Sequence, residues 1–165
     1  MTENNKKMEE LLKFLKEDQL KFYNITNTTN TNIKRINYED AIYSLLFIIH
    51  YLERNNYTLS HICLSDFDVY ENRLFLNTTK HVYDVKGDYF SYESKDKYGI
   101  EFITKGMKEL RIHKSNVYES ISYFIYYLLL HKVKTELNET DLEPIFETKP
   151  YYFIKNGIEK CFIYI

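Results

Sequence analysis

Apolar side chains recur at helical spacing near the start of the chain. This pattern predicts an amphipathic helix over residues 3–23. Its apolar stripe has to be buried, and we expect it to cover an otherwise bare surface of the same chain, with docking on a partner as the alternative. The stripe is formed by Met8, Leu11, Leu12 and Leu15, at positions i, i+3, i+4 and i+7.

A low-complexity segment rich in Asn and Thr follows at residues 24–32. Its short polar side chains bury little apolar surface, so we expect a loop. The sequence therefore predicts three parts: a helix at 1–23, a linker at 24–36 and a domain at 37–165.

The predicted domain begins with a helix that has almost no polar face. Asn37 is a favourable N-cap, and the helix is expected to continue to Arg54. Ala, Ile, Leu and Phe side chains occupy most of its circumference. Such a helix is typical of the centre of a fold.

Short extended segments come next. Residues 67–70 and 73–76 flank a turn and predict a β-hairpin. Residues 81–85 and 89–92 flank Lys-Gly-Asp and predict a second hairpin. Residues 98–103 are expected to form a further strand.

Helical patterns return in the second half of the chain. They predict a short helix at 105–110, a long buried helix at 115–131 and a last helix from Pro150 to Glu159, in which proline suits the first turn. Helix, hairpins and helices in this order indicate an α+β fold that is mainly α.

Composition excludes several classes of function. The 165 residues carry a net charge of −2, which gives no global field for nucleic acid or an anionic membrane. The charged N-terminal residues do not resemble a signal peptide, and no apolar run approaches the roughly 20 residues that span a bilayer. Cys63 and Cys161 are too few for a disulfide framework or a cysteine zinc site. A cytoplasmic protein that binds neither nucleic acid nor membrane is expected.

One stretch resembles a known family. The apolar helix is followed by a loop that reads HICLSDFD from His61 and then by a hairpin. This order is similar to the C-terminal lobe of protein kinases, whose catalytic loop reads H-R-D-L-K-x-x-N. The resemblance places Cys63, Ser65 and Asp68 at the family's catalytic Asp, its Lys and its metal-binding Asn. It places Asn77 at the Asp of D-F-G, so that only Asp68 could still hold a metal.

The resemblance implies a kinase-like fold without kinase chemistry. Only 36 residues precede the apolar helix, too few for the N-terminal lobe that completes an ATP site. The last residues, from Thr148, are also similar to kinase-like proteins of large DNA viruses, which would place the chain in the host cytoplasm. The expected function is a non-catalytic pseudokinase domain that acts through protein contacts, with no cofactor and no bound metal.

Two alternatives stay open. Asp66 and Asp68 are spaced like the D-x-D of haloacid-dehalogenase-type phosphatases, in which they would serve as nucleophile and acid/base with Mg²⁺. The chain could instead be an unrelated α+β structural or interaction protein. The less specific interpretation treats His61 as a satisfied core residue, Cys63 as an inert thiol and the two aspartates as caps of backbone amides.

Overall fold

The computed structural model describes residues 3–94, 96–97 and 99–159. Cys161 and the other residues of the C-terminal end lie outside this part of the chain. The α+β class and the predicted long helices are confirmed. The helices in the described residues are α1 (Glu3–Phe22), α2 (Tyr38–Arg54), α3 (Asn116–Leu130), α4 (Glu139–Leu142) and α5 (Lys149–Ile158).

The strands are short and form antiparallel pairs of two. The predicted hairpin is confirmed with its register, since Phe67 faces Leu76 and Tyr70 faces Arg73. Each strand of the described residues has one partner: β1 (Tyr57–Leu59) pairs with β5 (Val82–Asp84), β2 (Ile62–Cys63) with β7 (Glu101–Phe102), β3 (Phe67–Tyr70) with β4 (Arg73–Leu76), and β6 (Tyr89–Phe90) with β8 (Ile112–His113).

Helix α2 lies at the centre, as its sequence predicts. The Asn37 side chain caps it by accepting hydrogen bonds from the backbone N–H groups of Glu39 and Asp40. Its apolar side chains are buried between the hairpin, β1 and α3. Helix α3 packs in turn against α5.

Helix α1 covers the chain's own surface. It packs on β4 and α2 through buried Met8 and Leu15. Gln19 is completely buried, and its amide Nε2 donates to the Leu74 carbonyl at 3.0 Å. The amphipathic helix is thus fastened to the hairpin by both apolar and polar contacts.

The Asn/Thr-rich segment forms a loop that lies along the hairpin edge. The Thr31 N–H donates to the Val69 carbonyl at 2.9 Å, and the Val69 N–H donates to Asn30 Oδ1 at 2.7 Å. These two bonds satisfy backbone groups that an edge strand would otherwise leave unpaired. The loop therefore has a structural contact that its composition does not predict.

The second predicted hairpin is wrong. Residues 82–84 pair with β1 and residues 89–90 pair with β8, and between them only an isolated bridge joins Lys86 to Tyr89. A two-stranded hairpin is marginally stable by itself, and here each segment pairs instead with a strand that is distant in sequence. The predicted strand at 98–103 shortens to β7, and the predicted helix at 105–110 is a 3₁₀ turn at Lys105–Lys108.

No helix among the described residues is long and apolar enough to cross a membrane.

Neighbouring residues of α1 test whether its stripe is packed. Leu15 is buried, whereas Phe14 beside it is exposed. We expect Leu15→Ala to lower the free energy of unfolding by about 2–5 kcal/mol, because it removes buried apolar surface and leaves a cavity. Phe14→Ala should change it by less than about 0.5 kcal/mol. Urea unfolding of both variants measures the difference, and equal effects would contradict the docked position of α1.

Candidate functional site

The site is built on the segment that follows β1 and begins at Ser60. Ser60 and His61 are completely buried. The Ser60 N–H donates to the His81 carbonyl at 3.0 Å. On the opposite side, Asn116 at the start of α3 donates through Nδ2 to the Ser60 carbonyl at 3.4 Å and accepts from Thr104 Oγ1 at 2.8 Å. Buried polar groups of α3 thus fix the path of this segment.

A second polar residue of α3 joins β2 and β7. Ser120 is fully buried, and its hydroxyl accepts from the Ile62 N–H at 2.8 Å while donating to the Phe102 carbonyl at 2.6 Å. Ile62 and Phe102 are partners in the β2–β7 register. One hydroxyl therefore connects two strands whose backbone groups have no access to water.

Four titratable side chains meet in the space that these anchors enclose. His61 Nδ1 lies 2.8 Å from Ser60 Oγ, and His61 Nε2 lies 2.9 Å from Glu101 Oε1. His81 Nδ1 lies 2.5 Å from Asp66 Oδ2, and its Nε2 lies 3.7 Å from the same Glu101 oxygen. We call His61, Asp66, His81 and Glu101 the buried cluster.

Burial has the largest effect on the pKa of His61. It lowers the pKa of His61 from its ordinary value, although the hydrogen bond to Glu101 acts in the opposite direction. Burial also raises the pKa of the Cys63 thiol, whose Sγ lies 3.2 Å from Ser65 Oγ. The raised pKa disfavours the thiolate form that a nucleophilic Cys63 would require.

Asp68 and Asn77 meet at a different place. Asp68 Oδ1 accepts from Asn77 Nδ2 at 3.0 Å and from Asn30 Nδ2 at 3.3 Å, and Oδ2 accepts from the Tyr70 hydroxyl at 3.0 Å. Asn77 Nδ2 also lies 3.4 Å from the Ser65 carbonyl. The kinase resemblance predicts that His61 joins this pair, and in the structure it belongs to the buried cluster instead.

Asp66 and Asp68 do not share a cleft. Asp66 ends a 3₁₀ turn and points inward to His81 with 2% of its surface exposed, whereas Asp68 lies half-buried on β3. Residues two apart share a face only when both lie in one strand, and here the turn ends between them. The Asp66 side chain contacts His81, and that of Asp68 accepts from the Tyr70 hydroxyl. The geometry required for a D-x-D nucleophile and acid/base is not formed.

His81 and Glu101 are the residues that the sequence analysis missed. Glu101 reaches His61 across 40 residues of chain, and His81 reaches Asp66 across 15. The sequence did offer one indication of these residues, since His81 lies in one predicted strand and Glu101 in another. Their position beside His61 depends on the pairing of β2 with β7, which was not predicted.

The structure brings potential metal ligands together at this point. In the part of the chain that the structure describes, ligand atoms of His61, His81 and Glu101 lie within 4.8 Å of one another, as do those of Cys63, Asp66 and His81. Glu101 also lines a cavity of about 810 Å³. The cluster is therefore buried but borders a space that can hold solvent.

Ser120→Ala tests the anchor of the site. We expect the free energy of unfolding to fall by about 1–3 kcal/mol, because a buried N–H and a buried carbonyl lose their shared partner. Ser94→Ala, at an exposed position, should have an effect within about 0.5 kcal/mol. Chemical denaturation measures both, and an unchanged Ser120→Ala protein would contradict the bridging role of this hydroxyl.

Comparison of the chain with protein-family models, with curated proteins and with solved structures gives no match.

Proposed function

We propose that this chain is a non-catalytic kinase-like domain that acts through contact with another protein. The observation that carries the proposal is the state of Asp68, the one residue at a kinase-like position that could still hold a metal. Both of its carboxylate oxygens already accept hydrogen bonds from side chains of the same chain.

These contacts oppose magnesium binding. Mg²⁺ requires near-octahedral oxygen ligands and usually binds one or two carboxylates together with phosphates. Asn77 is neutral, and it turns its donor Nδ2 towards Asp68 rather than presenting a second carboxylate. Asp66 is turned away and bound to His81. Phosphoryl transfer at this position would lack the metal that neutralises the transferred group.

The order of α2, the β3–β4 hairpin and α3 supports a kinase-like plan, because it is the order that the resemblance implies. Helix α1, which the kinase-like pattern does not require, packs on β4 and α2. A surface of the hairpin and central helix that would otherwise be bare is therefore covered by this chain's own segment.

The contact surface that we propose is an aromatic face where α1 ends beside α2, defined by Phe22, Tyr23, Tyr43 and Phe47. Phe22 is 70% exposed and Tyr43 is 43% exposed. The Phe22 ring lies 5.1 Å from Tyr23 and 5.3 Å from Phe47, centroid to centroid. Aromatic residues are enriched among those that dominate binding energy at protein interfaces.

A groove on this face sets the chemistry of the partner. It encloses about 490 Å³, and its walls are largely apolar. Asp40 and Arg73 stand at its rim with 4.0 Å between their charged groups. An apolar anchor surrounded by polar residues fits such a groove, so we assign it to a protein segment that inserts one aliphatic or aromatic side chain.

Thermal unfolding with millimolar Mg²⁺ and ATP tests the lost chemistry. We expect no change in Tm, in the wild-type chain or in Asp68→Ala, because no metal–nucleotide site is formed. A ligand at 100 times its Kd would raise Tm by roughly 5–10 °C for a domain of this size. Such a rise, absent in Asp68→Ala, would contradict the proposal.

Phe22→Ser tests the aromatic face. A protein that binds wild type should be purified and its Kd measured against wild type, Phe22→Ser and Leu110→Ser. Removing an aromatic anchor costs at least about 2 kcal/mol, or roughly 30-fold in Kd. Leu110 is the matched control, since it is 92% exposed and lies outside the groove. Equal binding by all three proteins would exclude this face as the contact.

A further inference from the structure

Both histidines of the buried cluster direct the same ring atom at one carboxylate oxygen. His61 Nε2 lies 2.9 Å from Glu101 Oε1, and His81 Nε2 lies 3.7 Å from it. The two rings stand edge to face with centroids 4.6 Å apart. Three good transition-metal ligands thus converge from the loop after β1, the turn before β5 and strand β7.

The other ring nitrogens are already engaged. His81 Nδ1 lies 2.5 Å from Asp66 Oδ2, within hydrogen-bond distance of a carboxylate oxygen. His61 Nδ1 lies 2.8 Å from Ser60 Oγ, a hydroxyl that can accept as well as donate. Metal-binding histidines almost always hold their second nitrogen in such a bond, which fixes the tautomer and aims the free lone pair.

We propose that His61, His81 and Glu101 form a binding site for one Zn²⁺ ion, oriented by Asp66 and Ser60. Two histidines and one glutamate are a ligand set that zinc uses in proteins. The ion would bind His61 Nε2, His81 Nε2 and a Glu101 oxygen. The ion would link three segments that are distant in sequence. This structural role is separate from the protein contact proposed for the aromatic face.

The spacing of the ligand atoms fits this ion. Zinc bonds of about 2.0–2.2 Å at tetrahedral angles place neighbouring ligand atoms about 3.3 Å apart. The Nε2-to-Oε1 distances of 2.9 Å from His61 and 3.7 Å from His81 lie on either side of that value. All three ligand atoms lie within 4.8 Å of one another, so a small closing movement would complete the site.

Charge favours a cation at the same point. Asp66 and Glu101 place two carboxylates in the interior, and the ion pairs that the structure describes for them are with histidine rings. His81 Nε2 lies 3.7 Å from Glu101 Oε1, which is longer than a hydrogen bond. A divalent ion between these two atoms would offset the negative charge of the buried carboxylates.

Solvent can reach the fourth position. The Glu101 side chain is 8% exposed and belongs to the wall of the cavity of about 810 Å³, together with Tyr92 and Met107. A water molecule from this cavity is the expected fourth ligand. The second group of potential ligands, which includes Cys63 and Asp66, is less suited, because Asp66 already binds His81 Nδ1.

Zinc titration of the chelator-treated full-length chain tests the site. We expect one ion per chain by calorimetry and a rise in Tm of roughly 5–10 °C at free zinc 100 times Kd. Magnesium chloride should give neither, since Mg²⁺ prefers oxygen ligands in octahedral geometry. If the wild-type chain binds no zinc, the proposal is overturned.

Variants separate this site from surface histidines. Asp66→Asn should weaken zinc binding 10–100-fold through loss of orientation, and Glu101→Gln, which keeps a side chain of the same size, should weaken it further. His50→Ala removes an exposed histidine of α2 and should leave the Kd unchanged. Circular dichroism checks that each variant is folded. Undiminished binding in folded Glu101→Gln, or loss of binding in His50→Ala, would assign the zinc elsewhere and overturn the proposal.

Discussion

Satisfying the polar groups of the buried residues 60–63 and Asp66 is the constraint on which the rest of this structure depends. A backbone N–H or carbonyl buried without a partner costs about 1–3 kcal/mol, so each requires a donor or acceptor from another segment. Asn116 and Ser120 of α3 supply them from one side. The position of α3 and the pairing of β2 with β7 follow from these bonds.

The need for hydrogen-bond partners also determines which carboxylates could bind a metal. Asp66 is used inside the protein by His81, and Asp68 is used at the hairpin by Asn77, Asn30 and Tyr70. In the proposed function, these contacts leave neither carboxylate to hold magnesium for phosphoryl transfer. The proposed roles lie at two other places: the aromatic face at the end of α1 and the buried cluster of histidines and carboxylates.

Local signals made much of the fold predictable. The helices α1, α2, α3 and α5 follow from apolar periodicity and from caps such as Asn37, and the β3–β4 hairpin follows from two apolar runs around one turn. Strand β1 was not predicted, and its pairing with β5 displaced the second predicted hairpin. A sequence pattern three residues long does not specify which distant strand will bury it.

The candidate site was predictable only in part for the same reason. Sequence reasoning singled out His61, Asp66 and Asp68 because they lie within one short stretch. The partner of His61 is Glu101 and that of Asp66 is His81, and both pairs depend on contacts between segments that are far apart in the chain. Asp66 and Asp68 also separate, because a 3₁₀ turn ends between them and the strand alternation begins only afterwards.

The most direct test of this account is anomalous X-ray diffraction at the zinc absorption edge, from crystals of the full-length chain grown with zinc. The account predicts one peak inside the protein, about 2.0–2.2 Å from His61 Nε2, His81 Nε2 and a Glu101 oxygen, with Asp66 still bound to His81 Nδ1. Peaks confined to surface histidines, with His61 and His81 bound only to their present partners, would contradict it.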